Sequence, residues 1–312
     1  MSVIQQAINF LYRHPKSKIK QIGRYGGFIK YYKIEKKIAE MQTTSLGLSP
    51  IQCHSEGLPI YFLTGKKHFH QTLFCILSLV KKCGDIFCFY LVDDGTFDIK
   101  LKNRINQQLP GSVIITKEEI NLQIEHLFPL DQYPTLRHKR TVYPHIKKLT
   151  DIHSHLNGPE WKLVLDSDML FRNKPTLLLN WLKNPDKPLH MVDCQESYGY
   201  SKSLMASLSG SAIPSLVNVG TIGLRSKSIR WPDLEVWIAE LEALEGSSYY
   251  LEQALSAMLI GEQHSTVLPA NDYVVNPSSL EVDQIKGVLH HYVDLSKGSY
   301  YNKMWQKVIG ND

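Results

Sequence analysis

Two aspartates, Asp166 and Asp168, are separated by one small residue and follow a short apolar stretch that begins at Trp161. Such a run of β-forming residues predicts a buried strand that ends at the carboxylates. Because alternate residues of a strand face the same side, both carboxylates are expected to point the same way if the extended geometry continues. Paired carboxylate oxygens suit Mg²⁺ or Mn²⁺, which keep coordination positions open for a phosphate. The pattern therefore predicts a site that holds a metal ion and a diphosphate.

Two further polar stretches matter, because a D-x-D triplet alone arises by chance about once in a chain of this length. Asn218 and Gly220 interrupt an apolar run that resembles a strand. A buried amide there needs partners such as sugar hydroxyls, and a glycine in a strand often marks the close approach of a ligand. Glu252 and Gln253 stand near the start of a predicted helix. A carboxylate in the first turn of a helix is favoured by the helix dipole.

Strand-like and helix-like segments alternate from Pro59 onward. The first strands are predicted at 60–63, 86–92 and 112–115, with amphipathic helices at 71–82 and 99–109 between them. This βαβαβ order predicts a parallel sheet with right-handed crossovers. Thr64, and the pair Asp93 and Asp94, come at the carboxyl ends of the first two strands, where ligands bind in this architecture. No G-x-G-x-x-G or G-x-x-x-x-G-K-[ST] follows the first strand, which counts against a dinucleotide dehydrogenase and a P-loop NTPase.

The second half of the chain continues the alternation. Further strands are predicted at 189–193, 215–224 and 288–293, and further helices at 177–182, from Pro232 and from Tyr249. The segment 133–156 is predicted to be a basic helix, whose cations either reach a diphosphate or remain solvated. Those cations are Arg137, Lys139, Arg140, Lys147 and Lys148. The spaced histidines His68/His70 and His153/His155 lack matching Cys or carboxylate spacing and are not assigned to zinc.

The composition is that of an ordinary globular protein, with 43% of the 312 residues hydrophobic and 21% charged. It can bury a sizeable core in one large domain or two small ones. No apolar run approaches the roughly 20 residues that cross a bilayer, and the first residues lack the features of a signal peptide. The five cysteines are odd in number and form no C-x-x-C. Free thiols in a reducing, cytoplasmic compartment are therefore expected.

The net charge of +5 is concentrated near the amino terminus. Residues 1–40 carry nine Lys and Arg against two Glu, or +7, which leaves 26 against 28, or −2, for the rest. The main domain therefore has no signature of nucleic-acid binding. Two amphipathic helices are predicted, followed by a linker at 42–58. The helices either lie on an anionic membrane or a partner, or pack on the main domain, which we favour. Their apolar faces are Val3, Ile4, Ala7, Ile8 and Leu11, and Phe28, Tyr31, Ile34, Ile38 and Met41.

Taken together, these motifs stand in an order that resembles the GT-A glycosyltransferases, and most of all the bacterial relatives of glycosyltransferase family 8. The order is Asp93-Asp94-Gly95, Asp166-Ser167-Asp168, Asn218-Val219-Gly220, Glu252-Gln253, and His291-Tyr292 with Lys297. The resemblance covers residues 59–305, although the family usually has Asp-Gln in place of Glu-Gln and a fuller motif after the late histidine. It implies an α/β fold of the Rossmann-like GT-A type, with a central, mostly parallel sheet. The GT-A domain would span 51–312, after a basic helical extension and linker at 1–50.

The resemblance also implies a donor site at the carboxyl edge of the sheet. Asp166 and Asp168 would bind Mn²⁺ or Mg²⁺ between the two phosphates of a nucleotide sugar, with His291 as the third ligand. The adjacent His290 is the alternative, since alternation along a strand lets only one of the two face the site. The other donor-side residues would be Thr64, Asp93 and Asp94 at the nucleoside, Lys297 at the departing phosphate, and Asn218 and Gly220 beside the sugar or acceptor.

The implied activity is that of a hexosyltransferase-type enzyme, which moves a sugar from a nucleoside diphosphate, UDP most of all, to a glycan, lipid-linked or small-molecule acceptor. A divalent cation and Lys297 would stabilise the leaving diphosphate. In an inverting enzyme Glu252 would be the base, whereas in a retaining enzyme Gln253 would lie beneath the anomeric carbon. A nucleotidyltransferase and a non-catalytic nucleotide-sugar-binding relative are the alternatives. The expected place is the cytoplasm, with peripheral contact to the inner membrane face through the basic amino terminus.

Overall fold

The computed structural model describes Gly23 and residues 27–310. The first predicted amphipathic helix, from Val3 to Leu11, lies outside these residues. The strands are β1 (Leu58–Thr64), β2 (Phe87–Asp93), β3 (Val113–Ile115), β4 (Trp161–Leu165), β5 (Met169–Phe171), β6 (Leu189–Val192), β7 (Val217–Arg225), β8 (Thr266–Leu268), β9 (Tyr273–Val275) and β10 (Leu289–His291). Every strand predicted from the sequence is present, with its ends shifted by a few residues at most.

Helices fill most of the connections between these strands. The α-helices are α1 (Phe28–Leu46), α2 (Phe69–Lys82), α3 (Ile99–Gln108), α4 (Lys117–Leu127), α5 (Pro134–Val142), α6 (Lys147–His153), α7 (Thr176–Lys183), α8 (Lys202–Ser209), α9 (Trp231–Glu245), α10 (Leu251–Ile260), α11 (Ser279–Asp283), α12 (Lys297–Ser299) and α13 (Trp305–Ile309). A short π-helical turn, Tyr300–Met304, joins the last two. The order confirms an α/β fold.

The central sheet has seven strands in the order β3-β2-β1-β4-β7-β6-β8. The strands β3, β2, β1 and β4 are mutually parallel, as the βαβαβ pattern predicts. Since β7 runs antiparallel to both β4 and β6, the sheet is mixed but mostly parallel. The chain leaves β1 toward β2 and β3 and later returns to place β4 on the other side. Such a reversal opens a crevice at the carboxyl ends of β1 and β4, where α/β proteins bind their ligands.

A second sheet of three strands, in the order β5-β10-β9, brings the late histidines to the same crevice. β10 runs antiparallel to β5, with His291 opposite Met169 and His290 opposite Leu170. The Tyr292 amide donates to the Asp168 carbonyl oxygen at 2.9 Å, which extends the pairing past the end of β5. The sheet therefore fixes the end of β10 beside the two aspartates.

Both faces of the central sheet are covered by apolar side chains. On β1, Tyr61 belongs to the core on one face, whereas Ile60 and Phe62 belong to the core on the other. On β4, Val164 and Leu165 divide between the two faces in the same way. Strands buried on both sides read as continuous apolar runs because neither face can be polar. This burial holds the strand ends, and the polar residues that follow them, in fixed positions.

The amphipathic helix predicted around Ile34 is α1, and it packs on the main domain. Ile34 and Met41 join a third apolar cluster with Phe74 and Trp305. The helix runs to Leu46, into the stretch predicted to be a linker. Within the part of the chain that the structure describes, no helix is both long and apolar enough to span a membrane.

Candidate functional site

Asp166, Asp168 and His291 come together at the crevice. Each offers one ligand atom, and the three atoms lie within 4.8 Å of one another. His291 Nε2 is 3.6 Å from Asp166 Oδ2 and 3.4 Å from Asp168 Oδ1. Since β4 ends before the aspartates, simple strand alternation does not orient them. Their convergence depends instead on the pairing of β5 with β10.

The His291 ring is oriented by the amide of Asn218. The ring Nδ1 lies 3.3 Å from Asn218 Oδ1, so the tautomer with a proton on Nδ1 donates to that oxygen. Nε2 then presents its lone pair toward the carboxylates. It is buried and has no hydrogen-bond partner among the described residues. An imidazole held by its second nitrogen in this way is the arrangement typical of a metal ligand.

The neighbouring His290 faces away from the site. Its ring nitrogens lie 3.2 Å from the Tyr292 hydroxyl and 2.5 Å from the Lys286 carbonyl oxygen. Of the two histidines left open by the sequence, His291 is therefore the one that faces the aspartates. A neutral imidazole nitrogen and two carboxylates form a donor set that fits Mn²⁺ or Mg²⁺, and the partnerless Nε2 of His291 supports that fit.

Gly220 makes room for His291. A Cβ added at Gly220 would lie 2.3 Å from His291 Cε1 and 2.6 Å from Met169 Cε. Its own amide donates to Asn218 Oδ1 at 2.9 Å. Gly220 was predicted to border the sugar or the acceptor, and in the structure it lies against His291. The buried Asn218 amide has protein partners where the sequence suggested sugar hydroxyls.

Two lysines contact the aspartates, one each. Lys297 Nζ lies 3.1 Å from Asp168 Oδ2. Lys148 Nζ donates to Asp166 Oδ1 at 2.9 Å and lies 3.4 Å from Glu252 Oε2. Lys148 is buried, whereas about a third of the Lys297 side chain is accessible. Lys297 is therefore the cation that an incoming anion can reach.

The other cations of the predicted basic helix are used elsewhere. The predicted helix over 133–156 is not continuous. Pro144 has no amide hydrogen to donate to the preceding turn, so the chain divides into α5, a 3₁₀ turn and α6. Arg140 pairs with Asp151 and Lys139 with Glu242. Of the five cations named in the sequence, Lys148 is the one that contacts Asp166.

Solved structures share this architecture. The structure is similar to the apo form of mouse xyloside xylosyltransferase 1, with a TM-score of 0.50, 12% identity, and coverage of 77% of this chain and 97% of that one. It is also similar to the galactosyltransferase LgtC in complex with donor and acceptor sugar analogs, with a TM-score of 0.51, 15% identity, and coverage of 81% and 97%. The chain has the GT-A fold. Neither a protein-family profile nor a curated protein matches the sequence.

Asp168 of the candidate metal cluster and the nearby Glu252 have shifted pKa values. Burial would raise the pKa of Asp168, but the charge of Lys297 and the adjacent His291 imidazole lower it well below its usual range. Burial raises the pKa of Glu252 to about 7, although Lys148 opposes that shift. Glu252 Oε1 is buried and has no hydrogen-bond partner among the described residues. A carboxylate with a pKa near neutrality is suited to proton transfer.

The residues predicted to meet the nucleoside lie at the ends of β1 and β2. Thr64 Oγ1 lies 2.8 Å from Thr72 Oγ1, which lies 2.9 Å from Ser167 Oγ, so a hydroxyl chain links β1 to the D-x-D loop. Asp93 Oδ1 accepts from the amides of Gly95 and Phe97 and shapes the turn after β2. Thr64 and Asp93 thus use their side chains to form the corner of the crevice at the ends of β1 and β2.

Asp94 completes this corner of the crevice. Its Oδ1 accepts from the Thr96 amide at 3.0 Å and from the Thr96 hydroxyl at 2.6 Å. Its carboxylate lies directly against Gly65, where an added Cβ would come within 2.1 Å of Oδ1. The Asp94 carbonyl oxygen accepts from Lys147 Nζ at 2.6 Å. The turn after β2 and the start of α6 are thereby held together.

Asp193 is a further residue of the candidate site that the sequence patterns did not predict. Its Oδ2 accepts from Asn218 Nδ2 and from Gln253 Nε2, both at 3.0 Å. The carboxylate therefore links the residue that orients His291 to the candidate catalytic helix α10. Its position just after β6, at a strand end like Asp93, is the signal that could have identified it.

Proposed function

We propose that the protein is a metal-dependent glycosyltransferase that moves a sugar from a nucleoside diphosphate sugar to an acceptor hydroxyl. The observation that carries this proposal is the buried, partnerless His291 Nε2 facing two carboxylates at the crevice of a GT-A fold. Among nucleoside diphosphate sugars we propose a UDP-sugar as the donor, with Mn²⁺ or Mg²⁺ as the cation. The two similar structures named above are sugar transferases, which supports the same class of reaction here.

The charges around the crevice fit the demands of that reaction. Breaking the anomeric C–O bond leaves negative charge on the diphosphate, and a bound divalent cation supplies Lewis-acid stabilisation of that charge. Asp166, Asp168 and His291 would hold the cation. The partly accessible Lys297 would approach the departing phosphate from the Asp168 side. Lys148 would position Asp166 through the hydrogen bond between them.

The donor would lie across the crevice from the nucleoside corner to the start of α10. We propose that Thr64, Asp93 and Asp94 shape the nucleoside pocket and that Asn218 and Gly220 support the ligand His291. Two roles follow for α10, depending on the stereochemistry. With Glu252 as the base, its raised pKa suits removal of the acceptor proton. With Gln253 beneath the anomeric carbon, its contact with Asp193 would hold the amide in place.

The first test is the thermal stability of the purified protein with UDP, GDP, CDP and dTDP, each with Mn²⁺ and with EDTA. A ligand at 100 times its Kd adds about 2.7 kcal/mol to the free energy of unfolding. We expect one diphosphate to stabilise the protein only when Mn²⁺ is present. The His291→Ala variant should lose this effect, whereas His290→Ala should retain it.

The same variants separate the proposal from its alternatives. The matching nucleotide sugar is the one whose diphosphate stabilises the protein. Transfer of its sugar to water or to an acceptor should require His291 and the metal. If a nucleoside diphosphate stabilised the protein equally in EDTA and in Mn²⁺, the proposed metal dependence would be wrong. Release of pyrophosphate from a nucleoside triphosphate would favour a nucleotidyltransferase, and nucleotide-sugar binding without any turnover would favour a non-catalytic protein.

We also propose peripheral contact between α1 and the cytoplasmic membrane face, with residues 51–312 as the GT-A domain and 1–50 as its extension. The inner face of α1 is occupied by the domain, but Phe28, Ile29 and Tyr32 are exposed on the helix. Lys33 and Lys36 lie on the exposed side as well. Aromatic and apolar side chains among lysines fit an anionic lipid surface. A second copy of the same positive surface would be repelled.

A further inference from the structure

An exposed aromatic side chain precedes the helix that carries Glu252 and has no role in the scheme above. Tyr249, just before α10, is 68% exposed. Its ring meets the His145 ring edge-on at a centroid distance of 5.0 Å, and the Tyr250 ring at 5.4 Å. His145 in turn contacts Tyr143 at 5.3 Å. These four residues, Tyr143, His145, Tyr249 and Tyr250, are termed the aromatic wall.

The aromatic wall is anchored to the catalytic helix. The Tyr143 hydroxyl donates to the Tyr249 carbonyl oxygen at 2.6 Å and accepts from the Glu252 amide at 3.3 Å. Tyr143 thus fixes the backbone of the wall and the start of α10 to each other. A large side chain that is held in place and yet solvent-exposed is prepared to bury its surface against a partner.

The wall lies beside the candidate base. Tyr249 comes three residues before Glu252 in the chain, and the Tyr143 hydroxyl contacts the backbone of both. The Glu252 carboxylate lies 3.4 Å from Lys148 Nζ, which donates to Asp166 of the cluster. Because the base in the proposed scheme removes the proton of the acceptor hydroxyl, the acceptor must lie next to Glu252.

We propose that Tyr249, supported by His145, is the platform on which one pyranose ring of a glycan acceptor stacks. This inference rests on the proposed function and assigns the acceptor to the sugar class rather than to non-sugar molecules. A pyranose has a face of C–H groups and an edge of hydroxyls, which matches an aromatic face with a polar tip. The acceptor hydroxyl of a ring stacked there would lie toward Glu252 and the cluster.

The experiment uses the full chain with Mn²⁺ and the nucleotide sugar selected by the stability test. The probes are the methyl glycosides of galactose, glucose, N-acetylglucosamine and mannose. For Tyr249→Ala we expect the KM for the accepted glycoside to rise about tenfold, which corresponds to 1.4 kcal/mol. Tyr249→Phe and Tyr249→Trp, which keep the ring, should stay within about threefold. Leu122→Ala, an exposed apolar residue on α4, serves as the matched control.

The readouts distinguish this inference from the proposed function. Donor hydrolysis without a glycoside should change far less than the glycoside KM. An unchanged glycoside KM in Tyr249→Ala would overturn the platform. A raised KM for the nucleotide sugar would also overturn it, because Tyr249 would then stack on the nucleobase of the donor. Donor hydrolysis with transfer to none of the glycosides would overturn the sugar acceptor while leaving the proposed function intact. Absence of any donor turnover would overturn both.

Discussion

The ammonium group of Lys148 lies 3.4 Å from a carboxylate oxygen of Glu252 in the interior of the protein. The same ammonium donates to Asp166 Oδ1 at 2.9 Å. One buried cation thus joins the candidate base to a candidate metal ligand. Because removal of one partner leaves buried charge uncompensated, we expect Lys148→Met to lower the free energy of unfolding by about 3 kcal/mol. Urea denaturation in EDTA measures this loss.

The neighbouring Lys147 provides the control. Its ammonium donates to the Asp94 carbonyl oxygen at 2.6 Å and is less buried. Lys147→Met should cost about 1 kcal/mol, the net value of one hydrogen bond. Equal losses in the two variants would contradict the buried ion network.

The raised pKa of Glu252 predicts a pH dependence of stability. Burial raises this pKa to about 7, while an unfolded glutamate has a pKa of about 4.3. The folded state therefore binds this proton more tightly, and the resulting stability is complete below the unfolded pKa and is lost as the pH rises through about 7. Glu252→Gln cannot lose a proton. Its free energy of unfolding relative to the wild type should rise between about pH 5 and about pH 8, by up to about 3 kcal/mol.

Urea denaturation in EDTA across this pH range, with wild type and variant in parallel, gives the difference directly. Groups that titrate in both proteins cancel in it. The exposed Glu240 on α9 offers a control, since Glu240→Gln reports the effect of the same replacement at a surface position. A flat difference for Glu252→Gln would show that its proton is bound equally in both states.

Substitution of Gly220 tests whether the position of His291 matters. In Gly220→Ala the new methyl group would lie 2.3 Å from His291 Cε1. The ring or the strand must then move, which costs about 1–3 kcal/mol. We expect the metal-dependent stabilisation by a nucleoside diphosphate to be lost, as measured by thermal denaturation with Mn²⁺ and with EDTA.

Gly84 gives a matched control for this substitution, because a Cβ there would meet no atom within 4 Å. Gly84→Ala should retain the full metal-dependent shift. A normal shift in Gly220→Ala would mean that the site tolerates a displaced histidine.

The exposed residues of α1 predict binding to anionic membranes. We expect the full chain to sediment with vesicles of phosphatidylcholine and phosphatidylglycerol, and far less with phosphatidylcholine alone. Changing Phe28, Ile29 and Tyr32 together to serine should reduce the bound fraction about tenfold or more, because each buried apolar side chain contributes to interfacial binding. Higher salt should weaken binding, since lysine attraction to the surface is screened.

Exposed apolar residues elsewhere serve as controls for the vesicle experiment. Ile99, Leu122 and Leu280 lie on other helices, and their joint replacement by serine should leave sedimentation unchanged. Equal binding to neutral and anionic vesicles, or equal loss in both triple variants, would argue against α1 as the contact.

The elements of the fold follow from local patterns in the sequence. The apolar runs at 60–63, 86–92 and 161–165 become central strands because burial on both faces leaves no polar positions. The break of the basic helix was missed, although Pro144 was a local signal for it. The turn residues Asp93 and Asp94 also follow from their place at a strand end.

The contacts within the site required the tertiary structure. The choice of His291 over His290 depends on the pairing of β10 with β5, which are far apart in the sequence. The selection of Lys148 from five cations depends on where α6 packs, and the role of Asp193 depends on two distant amides.

The sequence by itself determined the alternation of strands and helices, the strand-end position of Asp166 and Asp168, and the order of motifs that predicted a GT-A fold. The tertiary structure alone decided which ring nitrogen faces the carboxylates, which lysine joins Asp166 to Glu252, and which aromatic rings contact Tyr249. The reason is physical: the periodicity of buried side chains is set by neighbours along the chain. The convergence of side chains from the turn after β4, from β10 and from α6 is set instead by burial between elements that are remote in sequence.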